Sequence, residues 1–192
     1  MIFGNQFPVL NYVFLPYANG SCTGGIKTWS TSLTTVWIAC CNKSILYPLL
    51  YNLPNLENFT CGLGTVDGKT LICQRLVLKQ FNLTNYCQCN PPHMIMMKMN
   101  EIKDLYRCFP NLESTNLTLR YPGYLNDALH ALNAVLSHCS NLKSVDCYIK
   151  YSGPDCSQQS FDEIKNRYPL FKDYDGCAWK EREGYRCRIR KG

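Results

Sequence analysis

The sequence predicts an α/β solenoid of about seven repeats, with a curved parallel sheet inside and helices outside. Three observations predict it. An apolar-x-x-apolar-x-apolar pattern recurs along the chain, anchored at Leu10, Leu33, Leu56, Leu83, Leu112, Leu142 and Phe171, at intervals of roughly 23 to 30 residues. Segments of helical period lie between several of these strands. The phrase Asn-Leu opens several copies, with Asn55, Asn82, Asn111 and Asn141 placed to satisfy turn backbone groups.

In chain order, the strand triplets are Leu10, Val13, Leu15, then Leu33, Val36, Ile38, then Leu56, Phe59, Cys61. The fourth reads Leu83, Tyr86, Gln88 and fails at its last place. Leu112, Thr115, Leu117 and Leu142, Val145, Cys147 follow; the seventh, Phe171, Tyr174, Gly176, also fails at its last place. The period-2 ending is what a short strand with one buried face requires. The helical segments begin with "SILYPLLYNL", where Ser44 is a cap and Pro48 falls early, and "MNEIKDLYRCF". "LNDALHALNAVLSHC" carries an unbroken apolar stripe with Asn126 or Asp127 as its cap, and "SFDEIKNRY" opens with the capping box Ser160-x-x-Glu163. A less regular apolar stretch, Lys69 to Gln80, is also read as helix.

A chain of 192 residues that is 46% hydrophobic and 18% charged can bury a core. The solenoid is placed at residues 1–179. Residues 180–192 carry the main basic cluster and are read as a solvated tail, so the net charge of +6 implies no nucleic-acid partner. No apolar run is long enough for a transmembrane helix, and the start lacks the basic flank of a signal peptide, so no membrane association is expected. Thirteen cysteines and five Asn-x-Ser/Thr triplets suit a secreted protein. The repeat frame points the other way. It sets Cys61 and Cys147 in the core and Cys108 and Cys139 at helix ends, where thiols act as small hydrophobes. It sets Asn58 and Asn116 within strands. A reducing cytoplasmic or nuclear setting follows.

"LYRCFPNLESTNLTL" and "VLSHCSNLKSVDCYI" resemble leucine-rich repeats of the long, ribonuclease-inhibitor-like kind, and most closely the repeat region of F-box proteins. The resemblance spans nearly the whole chain. It implies a non-catalytic module that recognises substrates for a ubiquitin ligase. Adaptor binding would need an F-box, and no such segment is found: Leu53-Pro54 is already a repeat turn.

No catalytic motif appears, and no cofactor is expected. "CQCNPPH" offers Cys87, Cys89 and His93 without a second ligand pair, so no metal site is assigned. "GLGTVDGKT" lacks the first glycine of a phosphate loop and is read as a loop after a strand. In a solenoid, function sits on the strand residues left unburied, here the expected binding site for a protein substrate on the concave sheet. The early end of that face is aromatic, with Tyr12, Phe14 and Trp37. Glu57, Glu113 and Asn116 lie in the middle, and the late end is charged, with Lys143, Asp146, Lys172, Asp173 and Asp175. A secreted, disulfide-bonded, glycosylated leucine-rich-repeat binding protein is the alternative.

Overall fold

The computed structural model describes residues 2–18, 22, 24–65, 77–84, 98–153, 157–181 and 184–192, apart from the side chains of 42, 43, 64 and 65. Its strands are β1 (Tyr12–Leu15), β2 (Thr35–Asn42), β3 (Asn58–Thr65), β4 (Gln80–Thr84), β5 (Ser114–Tyr121), β6 (Ser144–Tyr151), β7 (Asp175–Glu181) and β8 (Gly184–Lys191). Four α-helices are described: α1 (Lys43–Asn52), α2 (Met99–Tyr106), α3 (Leu125–Leu136) and α4 (Gln158–Asn166). The protein is α/β, with one eight-stranded sheet ordered β1-β2-β3-β4-β5-β6-β8-β7. The first six strands run parallel in sequence order.

Two apolar rungs cross these six strands. One joins Val13, Val36, Phe59, Phe81, Thr115 and Val145; the other joins Leu15, Ile38, Cys61, Leu83, Leu117 and Cys147. Apart from the half-buried Leu15, every member is buried, and the helices cover that side. Each fully buried leucine-sized side chain contributes about 1.5–3 kcal/mol relative to exposure. Thr115 is the polar member. Its hydroxyl donates to the Phe81 carbonyl (2.6 Å) and shares a hydrogen bond with the buried Tyr106 hydroxyl (2.6 Å), which removes the cost of burying both.

The fourth copy sits in a different frame from the one expected. Leu83 is the last inward strand position, and the anchor is Leu78, followed by Phe81 and Leu83. Backbone bonding into the strands repeats in this frame. The amides of Thr34 and Thr35 both donate to the Asn11 carbonyl, and those of Glu57 and Asn58 to Thr34. Lys79 and Gln80 do the same to Glu57, Glu113 and Ser114 to Lys79, and Lys143 and Ser144 to Glu113. All three apolar places of the pattern are filled when counted from Leu78, and only there does Phe81 face the core.

The seventh copy does not form a parallel strand. Pro169–Phe171 is a turn of 3-10 helix that buries Phe171 against Tyr168 and Tyr174. β7 follows and pairs antiparallel with β8, which lies between β7 and β6. The residues expected to be a solvated tail therefore belong to the sheet. The physical cause is alternation: Cys187 and Ile189 are buried, while Arg186, Arg188 and Arg190 face outward. Gly184, the first residue of β8, has φ 114°, a conformation that favours glycine.

Helix starts also shift. The cap of α4 is Ser157, whose hydroxyl accepts from the Ser160 amide (3.2 Å), so Ser160 lies in the first turn. α3 starts after Tyr124, which places Asn126 and Asp127 inside the helix. Pro48 sits mid-helix in α1, which forgoes the bond its amide would have made. Most of Lys69 to Gln80 lies outside the described residues, and its last member opens β4.

Candidate functional site

The side of the sheet opposite the helices is open. Along β1–β6 it carries a row of Tyr12, Thr35, Asn58, Gln80, Ser114 and Ser144, and beside it Phe14, Trp37, Thr60, Asn82, Asn116 and Asp146. The registry that buries one set of alternate residues presents the other.

Tyr12, Phe14 and Trp37 all lie on this face as expected, each close to half exposed (48%, 48% and 46%). Phe14 and Trp37 are rung partners and meet edge-on, with ring centroids 4.9 Å apart. Asn116 is exposed in the middle of the face. Its neighbour Asn82 accepts from the Asn116 amide (3.0 Å) and donates to the Thr60 hydroxyl (3.0 Å).

Glu57, Glu113 and Lys143 lie just ahead of the strands. With Lys79 in the corrected frame they form a line of alternating charge, Lys79 to Glu57 at 3.0 Å and Lys143 to Glu113 at 2.7 Å. Thr84, five residues after Lys79, ends β4. The hydrogen bond from Lys143, then the charges of Lys143 and Lys79, hold the Glu113 carboxyl below its ordinary value. Stability from a depressed carboxyl is present above the ordinary carboxylate range and is lost as pH falls through the depressed value. Glu113→Gln is therefore expected to lower stability modestly at neutral pH and to change little at acid pH, which flattens the acid limb. Urea midpoints at about pH 7 and about pH 3 read this; an unchanged difference between them would sink it.

Asp146 lies on the face, held in a two-pronged pair by Arg188 (Nε 2.8 Å, NH2 2.6 Å). The same guanidinium stacks 4.7 Å from the centroid of Tyr148. Asp175 starts β7, and Arg190 of β8 stands between it and Asp146 in the register. Lys172 and Asp173 are exposed in the turn before β7 and join neither row. Sequence reasoning missed the outward residues of β8 and their neighbours Tyr148 and Trp179. The Arg-Cys-Arg-Ile-Arg alternation was the signal that could have found them.

Cys61 and Cys147 are fully buried thiols, and burial pushes both well above the ordinary thiol value. They act as core hydrophobes, not nucleophiles. Among the described residues no group of acidic, His and Cys side chains could hold a metal ion. Cys87, Cys89 and His93 fall outside the described residues, as does most of "GLGTVDGKT". No described helix is long and apolar enough to cross a membrane. No family model, curated protein or solved structure matches the chain.

Proposed function

We propose that this chain is a leucine-rich-repeat solenoid of the ribonuclease-inhibitor-like kind, working as a non-catalytic protein-recognition module. Its partner is a protein substrate seated on the open sheet, and its setting is the cytoplasm or nucleus. The observation that carries the reading is the open face itself: six parallel strands in chain order hold cross-strand rows that change from aromatic to charged. Paired, half-exposed aromatic rings beside polar side chains are what an interface centre uses. Selection of substrates for an F-box-type ubiquitin ligase rests on the resemblance of the repeats.

A secreted, glycosylated form fits less well. The Asn58 and Asn82 amides donate to the Thr35 (3.3 Å) and Thr60 (3.0 Å) hydroxyls, bonds that a glycan on the same nitrogens would disturb.

The test is selection of binders from a displayed library of protein fragments, followed by titration against variants. Trp37→Ala is expected to weaken the selected binders by tenfold or more, which corresponds to about 1.4 kcal/mol. Tyr51→Ala, at an exposed site on α1, should leave them unchanged. Binders sensitive to Tyr51 and indifferent to Trp37 would move the interface to the helices. The ligase part is tested in cells. A partner held on this face should gain ubiquitin when the chain is raised as a fusion to an F-box, and not when the Trp37→Ala form of that fusion is.

A further inference from the structure

The last three strands give the open face a second character. Lys150 of β6 is in register with Arg186 of β8, and Arg120 of β5 with Lys150. Arg186 faces Trp179 of β7, and Trp179 meets Tyr148 edge-on at 6.4 Å. This corner is therefore basic with aromatic rings set into it. Within it Arg188 pairs with Asp146 and Arg186 with Glu181 (2.8 Å). Arg120 and Arg190 are exposed, and Lys150 is half-buried, in register between Arg120 and Arg186.

The other end of the face is the reverse. Between Ile2 and Ile26 the sequence has no charged side chain, and β1 and β2 present Tyr12, Phe14 and Trp37. Adjacent strands lie about 4.8 Å apart, so four strand steps and a four-residue offset separate Trp37 from Lys150 by roughly 23 Å. About seven residues of extended chain cover that distance.

We infer that the open face takes an extended acidic segment of a protein partner, laid across the strands. An apolar or aromatic residue sits on Phe14 and Trp37, and carboxylates about seven residues away sit at Arg120, Lys150 and Arg190. This deepens the protein-recognition reading and rests on it. A nucleic acid fits worse. Asp146, Asp175 and Glu181 stand among the cations and would repel evenly spaced phosphates, and the uncharged end gives a phosphate chain nothing to neutralise it.

The probe is a fluorescein-labelled peptide of one tryptophan, a six-residue Gly-Ser spacer and four glutamates, titrated by anisotropy. Its controls are the same peptide with glutamines for glutamates and a labelled 20-nucleotide oligouridine. The acidic peptide is expected to bind at least tenfold more tightly than the glutamine form and to weaken as salt rises. Arg120→Glu with Lys150→Glu should abolish that tenfold advantage while leaving the glutamine peptide unchanged. Both positions are on the solvent side of their strands, and an unaltered thermal midpoint checks that the variant is folded. Equal binding of the two peptides, an advantage that survives the charge reversal, tighter binding of the RNA, or no binding of the acidic peptide overturns the inference. Binding of the glutamine peptide that is lost in Trp37→Ala, with no gain from glutamates, overturns it alone and leaves the broader recognition reading standing.

Discussion

Phe81→Ala is expected to destabilise the protein by about 3–5 kcal/mol, the range for removing a large aromatic side chain from a packed core. Phe81 is fully buried and is the hub of an aromatic cluster. Its ring lies 4.9 Å from Phe109, 5.4 Å from Tyr106 and 5.9 Å from Phe59. Phe59 is its rung partner on β3, whereas Tyr106 comes from α2 and Phe109 from the turn that follows. One truncation therefore loosens both the sheet and the layer above it. The surrounding elements are fixed by neighbouring rungs, so the space can close only in part. The result also discriminates between frames. With Leu83 as the anchor, Phe81 would be a turn residue whose loss costs little. With Leu78 as the anchor it lies in the core. Guanidinium unfolding measures the difference, and a loss below about 1 kcal/mol would restore the first frame.

Gly62→Ala is expected to be nearly as damaging, at about 3 kcal/mol or more, by overcrowding instead of a cavity. β2 and β3 change register between Ile38 and Cys41, so two residues, Ala39 and Cys40, oppose Gly62. A β-carbon at Gly62 would overlap the Ala39 carbonyl oxygen and lie 3.3 Å from its carbon. Those are backbone atoms held within the sheet and cannot swing aside as a side chain can. Gly153→Ala is the useful comparison, because its new methyl meets the Tyr124 ring at 3.1 Å, and Tyr124 is exposed. Thermal unfolding of the two variants should separate them by several degrees. Equal midpoints would mean that the bulge relaxes freely.

Much of the sheet was legible because its rule is local. Alternation such as Val36 and Ile38 fixes which face is buried wherever the strand ends up. The slip at the fourth copy came from trusting the Asn-Leu phrase. Asn82-Leu83 has the letters of a turn but lies inside β4, where Asn82 bonds Thr60 and Asn116. Phe81 and Leu83 carried the same period-2 signal, and Leu78 would have decided the frame. At the end of the chain, the charge of Arg186, Arg188 and Arg190 outweighed the alternation between them. The cap of α4 was ambiguous for a simpler reason: Ser157 and Ser160 lie three residues apart, and both suit a first turn. The aromatic side of the candidate face was readable because β1 and β2 follow the repeat. Its basic side was not, because β8 reaches β6 by an antiparallel pairing that no repeat interval encodes.

The strand order β6-β8-β7 has a consequence for how the polypeptide acquires its shape during translation. β7 leaves the ribosome before β8, yet among the described residues its only strand partner is β8. While β8 is still in the exit tunnel, the outer edge of β6 has nothing to pair with, and β7 has no place in the sheet. β7 therefore joins the sheet only through β8, either already paired with it or after β8 has docked on β6. The last strands of the sheet are therefore not added one by one at the growing edge in the order in which they are made.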